Sequence, residues 1–381
     1  MSPPTRKDKQ EGYISSVFST FSGKKSAPLP DRFRDLKRHL TTGLEEEIQK
    51  LWDDLVETLK VRTEEVATKR ESIIPQLKFA DLKAGSVSPA NIEAIRRTGV
   101  AVIRGVMPKD VATGLLSDTL RAPPHVDGGG IGRWEDRSYN HVYRKIFQGK
   151  WQEYDPWDLT GRLDANMNIH EGPRGCSVFR TFPSWLGLSR HGPQQGTLVV
   201  HPILQPTTAY WMLRPFFKPI RKGSLDGWKF SLDDGEGDVY LHGAKPGTAQ
   251  EHTPDHRPHL RLCETMIPYP TVESGDTVFW SADTIHGTEA VNTGDNDACV
   301  FYIPSVPLDP NNAQRDAFMK GIPPPDFPGG LGESQFSDRA SVKDVQTEAG
   351  KMAMGLSPIK LNGKSEKSIK IKSDINKTLG Y

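Results

Sequence analysis

The chain has 381 residues, and its 49 Lys plus Arg against 48 Asp plus Glu leave a net charge of +1, which gives no electrostatic reason to expect nucleic acid or an anionic membrane as a partner. The length allows one large domain with a real core, and no apolar run approaches the roughly 20 residues of a membrane helix. Three cysteines, Cys176, Cys263 and Cys299, are odd in number and far apart, so they form neither a disulfide framework nor a Cys-x-x-Cys zinc knuckle and place the chain in a reducing compartment, read here as the cytoplasm.

Residues 1–30 are Ser- and Lys-rich, lack a secretory apolar segment and read as a disordered leader. From Asp31 to Lys60, Phe33, Leu36, Leu40, Leu44, Ile48, Leu51, Leu55 and Leu59 recur at threes and fours, the helical period, with a break allowed at Thr41-Thr42-Gly43. This defines an N-terminal helical segment over 31–74. Pro89 to Arg97 is a short helix, 99–105 a β run, and Pro108 to Leu120 helical again. Beyond Pro123 the texture changes to short β-favouring runs between Gly, Pro and Asp turns: Cys176–Phe182, Trp185–Ser189, Gly196–Leu204, Ala209–Leu213, Leu262–Ile267, Thr277–Trp280 and Cys299–Ile303. Regular short strands of this kind argue a sandwich or barrel, mainly β with flanking helices. The stretch 133–164, rich in Trp, Tyr and charge, reads as a helical insertion. Residues 356–381 read as a basic, flexible tail.

Two motifs carry chemistry. The first is Pro124-His125-Val126-Asp127, followed by three glycines. Residues two apart on a strand share a face, so His-x-Asp sets an imidazole beside a carboxylate. The glycines let the backbone turn away. The second is Gly275-Asp276, a strand over Thr277–Trp280, and His286 past its end. Two His and one carboxylate make a facial triad with an open side, the ligand set of non-haem Fe(II) oxygenases. Zinc accepts the same ligands, and Asp283 or Glu289 would then be offered as the general base of a hydrolase.

The interval from Gly275-Asp276 to His286 is similar to that of the phytanoyl-hydroxylase-like 2-oxoglutarate oxygenases, in which this His is the distal iron ligand. Over roughly residues 75–355, Pro124-His-Val-Asp, Arg133-Trp-Glu-Asp136, Tyr154-Asp-Pro-Trp-Asp158, Ser177-Val-Phe-Arg-Thr-Phe182, Leu213-Arg-Pro-Phe-Phe217, Pro258-His-Leu260 and Gly275-Asp276 resemble the YbiU-like family, domain of unknown function 1479, in a fungal form. The resemblance implies an Fe(II)/2-oxoglutarate-dependent dioxygenase with a double-stranded β-helix (cupin or jelly-roll-like) core. Its metal ligands would be His125, Asp127 and His286, with no catalytic residues beyond them. Fe(II) would be the cofactor, 2-oxoglutarate the co-substrate, and a small molecule, possibly amino-acid-like, the substrate.

A dicarboxylate needs a cation, and Arg suits it best. Many oxygenases carry that Arg after the distal His, but 287–312 holds neither Arg nor Lys. Arg180 is therefore the first candidate and Arg214 the second. Asp283 is placed either to orient His286 or to cap the turn before it, His259 reads as a pocket group or, more simply, a satisfied core histidine, and Tyr302 flanks the pocket if its strand is the last of the barrel. His201, His242, His252 and His256 read as polar groups of loops and strands, and Trp185, Trp211 and Trp280 as core. The link between the helix ending near Leu120 and His125 is shorter than in the family pattern, which implies a trimmed cover over the site or a non-catalytic cupin-like homologue.

Overall fold

The computed structural model describes residues 29–113, 122–127, 129–167, 169–170, 179–232, 241–294, 297–303, 305–307, 342–362 and 365–381. Most of the leader lies outside them. The helical spacing from Asp31 yields α1 (Arg32–Thr41) and α2 (Glu45–Lys69), broken at the anticipated turn. Gly43 there takes φ +76°, a conformation that costs glycine nothing. α2 buries Ile48, Leu51, Trp52, Leu55, Leu59 and Val66 along one stripe. Trp52 stacks on Phe217, with ring centroids 4.1 Å apart, and on Tyr210 at 5.1 Å. This apolar face, rather than helix propensity, is what fixes α2 to the domain.

A short strand β1 (Gln76–Lys78), α3 (Phe79–Ala84) and α4 (Pro89–Thr98) lead into β2 (Val100–Arg104). Ser88 caps α4 by accepting from the Asn91 N–H, and Gly99 ends it in the left-handed conformation. α5 (Lys109–Thr113) opens the next expected helix, whose remainder falls outside the described residues.

Two five-stranded sheets follow. The first runs in the order β1, β2, β10 (Thr277–Trp280), β4 (Ser184–Gly187), β12 (Val300–Tyr302); β1 is parallel to β2 and the other pairs are antiparallel. The second runs β8 (Gln250–Glu251), β3 (His125–Val126), β11 (His286–Thr288), β5 (Leu198–Val200), β9 (Ile267–Pro268), antiparallel throughout. One buried cluster draws Val100, Val102, Trp185, Val278 and Trp280 from the first sheet, and Val126, Leu198, Val200 and Ile267 from the second. A hairpin of β6 (Phe217–Pro219) and β7 (Trp228–Phe230) packs against α2.

The expected insertion is helical: α6 (Gly132–Glu135), α7 (Arg137–Phe147) and a 3-10 turn at Trp151–Glu153. Asp136 caps α7 by accepting from the N–H groups of Ser138 and Tyr139. Two runs expected as strands are helices instead. Ala209–Leu213 belongs to α8 (Gln205–Leu213), and Leu262–Ile267 begins as α9 (Leu262–Thr265) before entering β9. Short apolar runs fit either period, and α8 is buried all round from Thr207 to Leu213, so no amphipathic stripe marks it. The protein is thus mixed α/β, with more helix than the mainly-β expectation, and among the described residues the strands do not close into a barrel. No helix of the described residues is long and apolar enough to cross a membrane.

In the stretch expected as a flexible tail, a helix spans Glu366–Thr378. Asn376 clamps the Ile359 backbone, accepting from its N–H at 2.7 Å and donating to its carbonyl at 2.8 Å. Ile359, Ile375 and Leu379 form a small cluster apart from the main core. Two substitutions should separate the two units in denaturant unfolding. Trp52→Ala should cost about 3–5 kcal/mol of the main transition. Ile375→Ala should leave that midpoint unchanged; a shift comparable with that of Trp52→Ala would show a single cooperative unit.

Candidate metal centre

The site is assembled by strand pairing. β3 and β11 are neighbours, and His125 lies directly opposite His286 in their register. Residues so paired present their side chains on one face within contact distance, and the two imidazole centroids are 4.2 Å apart. Asp127, two residues beyond His125, is brought to the same place, with Oδ2 3.5 Å from His286 Nε2. The ligand atoms of His125, Asp127 and His286 all lie within 4.8 Å of one another, as a metal-binding triad requires. Glycines permit the crowding. Gly129 takes φ +95°, and a Cβ on Gly287 would meet the Ala122 carbonyl oxygen at 3.0 Å.

Both imidazoles are set in one tautomer. His125 Nδ1 donates to the Pro123 carbonyl at 2.7 Å, and His286 Nδ1 donates to the Thr284 carbonyl at 3.0 Å. Each ring therefore keeps Nε2 as its lone-pair atom, the form a metal needs. Burial, helped by the neighbouring His286, pushes His125 down to about 4, so it is neutral at physiological pH. Burial works to raise the Asp127 carboxyl, but His286, His125, Arg180 and the Trp280 N–H outweigh it and hold it below the usual carboxylate range. The donor set thus matches a divalent transition metal: two imidazoles, each with its Nε2 lone pair free of the tautomeric proton, and one ionised carboxylate.

Trp280, expected only as core, does more. Its Nε1 donates to Asp127 Oδ2 at 3.0 Å, and its ring lies 4.9 Å from that of His286. Behind the ligands sits a buried ion network that sequence spacing does not reveal. Asp283 Oδ1 accepts from Arg133 at 2.5 Å, and Oδ2 accepts from Arg162 at 2.6 Å and from the Tyr154 hydroxyl at 3.0 Å. All three charged side chains are 1% exposed. Arg133 also donates to the backbone carbonyl of Asp127. Asp283 therefore acts on the ligands through Arg133; the bond recorded for the His286 ring goes to Thr284, not to Asp283.

The other candidates fall in different places. Arg180 is half-buried and its charge reaches Asp127. Arg214 donates to the Phe217 carbonyl at 3.0 Å and lies 4.5 Å above the Trp228 ring. His259 bonds Tyr210 and the Leu225 carbonyl and packs on Trp52 and Trp228, in the α2 core. Tyr302 is 53% exposed and packs edge-on against Trp185. His201 is satisfied by Thr207 and Thr265, whereas His252 is fully buried and neither ring nitrogen has a partner.

Comparison with known proteins gives the family and the fold. The Gig2-like family profile matches residues 27–122 and 117–356, and the chain belongs to that family. It is 25% identical to the YbiU protein of Escherichia coli (strain K12), over 85% of this chain and 95% of the relative. Among solved structures it is similar to the GlcNAc-inducible gene 2 product (GIG2, DUF1479) of Candida albicans, with TM-score 0.80, 25% identity, and 93% and 96% of the two chains covered. A protein of Salmonella typhimurium LT2, provisionally described as an oxidoreductase, shares the fold with TM-score 0.70 at 23% identity, over 87% of this chain and 99% of that one. The alignment to YbiU spans 422 positions, more than the 381 residues of this chain, so the relative carries stretches that this chain lacks. The two family matches meet over 117–122, just before His125, where the shortened link was anticipated.

Asp283→Asn should test the network behind the ligands. It leaves two buried guanidinium groups without their carboxylate, which should cost about 3–5 kcal/mol in denaturant unfolding. Metal affinity should fall by roughly ten- to a hundredfold. Arg162 and Arg133 override the effect of burial and hold the Asp283 carboxyl well below its ordinary range. Its contribution to stability is therefore present above about pH 4 and is lost as the pH falls through the folded value. Unchanged metal affinity in a destabilised variant would confine Asp283 to the fold.

Proposed function

We propose that this protein is an Fe(II)- and 2-oxoglutarate-dependent oxygenase acting on a small molecule, of which an amino acid is one candidate, its two sheets forming a double-stranded β-helix. The observation that carries the reading is the triad of His125, Asp127 and His286, held with both Nε2 atoms available and the carboxylate ionised. The Salmonella relative described provisionally as an oxidoreductase supports it in kind. When bound, Fe(II) with 2-oxoglutarate and dioxygen supplies the oxidation of an unactivated C–H bond.

The chain's own residues would do the rest. His125, Asp127 and His286 would hold the metal from one side and leave the opposite side for exogenous ligands. Trp280 fixes the Asp127 carboxylate by its N–H bond, and Arg133 fixes the backbone of the same residue. Charge favours a dianion: Arg133 and Arg162 share the single carboxylate of Asp283, which leaves one buried positive charge beside the site. Arg180 is the cation for the far carboxylate. Its charge reaches Asp127, and among the described residues its guanidinium makes no hydrogen bond or ion pair. The field of Arg214 acts instead on Tyr210, His242, His256 and Arg257.

The shortened link expected before His125 favours a second reading, a non-catalytic cupin-like homologue that keeps its metal. Metal analysis with succinate release, measured with and without 2-oxoglutarate, separates the two and also identifies a zinc protein. His125→Ala and His286→Ala should abolish tight Fe(II) binding, and Asp127→Ala should weaken it; unchanged iron content in all three sinks the triad. Arg180→Lys should raise the 2-oxoglutarate requirement strongly with iron binding unchanged, because it keeps the charge but loses the planar fork. An unaltered 2-oxoglutarate titration would place the cation elsewhere.

A further inference from the structure

Four arginines are buried among the described residues: Arg133, Arg162, Arg214 and Arg257. The first two share Asp283. The other two have no carboxylate within ion-pair distance among the described residues. Arg257 is fully buried and donates only to backbone, to the His256 carbonyl at 3.1 Å and the His242 carbonyl at 2.5 Å, while its Nε has no partner. Arg214 donates to the Phe217 carbonyl at 3.0 Å, and its Nε also has none.

The charge of Arg214 reaches Arg257, whose guanidinium is tied to His242 by the hydrogen bond to its carbonyl. Burial, then the charge of Arg214, pushes Arg257 down to about 9. Two histidines join them, with ring centroids 5.8 Å apart, and both feel both arginines. The buried Nδ1 of His256 has no partner. Lys37 of α1 adds a further positive field at His242, and the neutral Tyr210 hydroxyl lies beside Arg214. The carboxylate that acts on His256, Asp255, is exposed. Burying one unpaired guanidinium costs several kcal/mol, and burying a second whose charge reaches the first costs more, unless an anion arrives. The planar forks match a carboxylate or phosphate in shape and charge.

We propose that Arg214 and Arg257, flanked by His242 and His256, form a buried oxyanion site that takes the phosphate or carboxylate group of a small ligand. The charges of Arg257 and His125 both act on the buried His252 imidazole. The proposal does not rest on the oxygenase reading.

The test uses the full-length, metal-free protein. Calorimetric titration with inorganic phosphate, and separately with acetate, should show saturable binding of one equivalent of at least one of them, and the stronger binder identifies the group. The melting temperature should rise with concentration of that anion. Arg257→Lys, which keeps the charge but loses the fork, should weaken binding by roughly tenfold or more. Arg257→Met should abolish binding and melt no lower than wild type in anion-free buffer, because it removes a buried charge that no carboxylate of the described residues compensates. Arg180→Lys should leave this binding unchanged. Absence of saturable binding of either anion to wild type would overturn the site, as would equal affinity in Arg257→Lys. An Arg257→Met variant melting far below wild type in anion-free buffer would overturn it too, by giving the guanidinium a structural role.

Discussion

A single carboxylate, Asp283, lies between two guanidinium groups in the interior. Charges so placed are tolerated only while each has its partner and the remaining hydrogen bonds are filled, because water is no longer there to screen them. Asp283 belongs to the loop joining β10 to β11, whereas Arg133 lies in α6 and Arg162 beyond α7. The network therefore ties the helical insertion to the sheets. Arg133 extends it to the carbonyl of Asp127, so the backbone of one metal-ligand segment and the loop leading to the other converge on one guanidinium. The insertion is a condition of the site's geometry rather than an ornament on the fold.

That dependence explains how a site on two-residue and three-residue strands holds its shape. Short strands offer few ladder bonds. Rigidity comes instead from groups behind them: carbonyls that set the imidazole tautomers, Trp280 on the carboxylate, and the buried ions. Preorganisation of this sort is what a metal centre needs if its ligands are not to spend binding energy on ordering themselves. The ionised Asp127 carboxylate and the neutral His125 imidazole follow from the same surroundings.

The pairing of His125 with Asp127 was legible because strand alternation is short-range: His-x-Asp declares its shared face within three residues. The break at Thr41-Thr42-Gly43 and strands β2 and β10 were legible for similar reasons, each written in local period or turn chemistry. What escaped was long-range or unpatterned. Arg133, Arg162 and Asp283 meet across more than a hundred residues, and no spacing announces an ion pair at that separation. α8 and α9 were read as strands because short apolar runs satisfy either period. Trp280 looked like any core tryptophan, and the hydrogen bond from its N–H to Asp127 appears only once the sheets are assembled.

The register that sets His125 opposite His286 makes the centre a matter of parity. Shifting either strand by one residue does not loosen the cage by degrees; it turns that strand's ligand to the opposite face of the sheet. A single-residue insertion or deletion between β10 and β11, or just before β3, would thus separate the ligands even where the hydrophobic core tolerated it. Substitutions elsewhere can drift gradually, but length changes at these two points are all-or-none, which leaves the site far less room to vary in spacing than in composition.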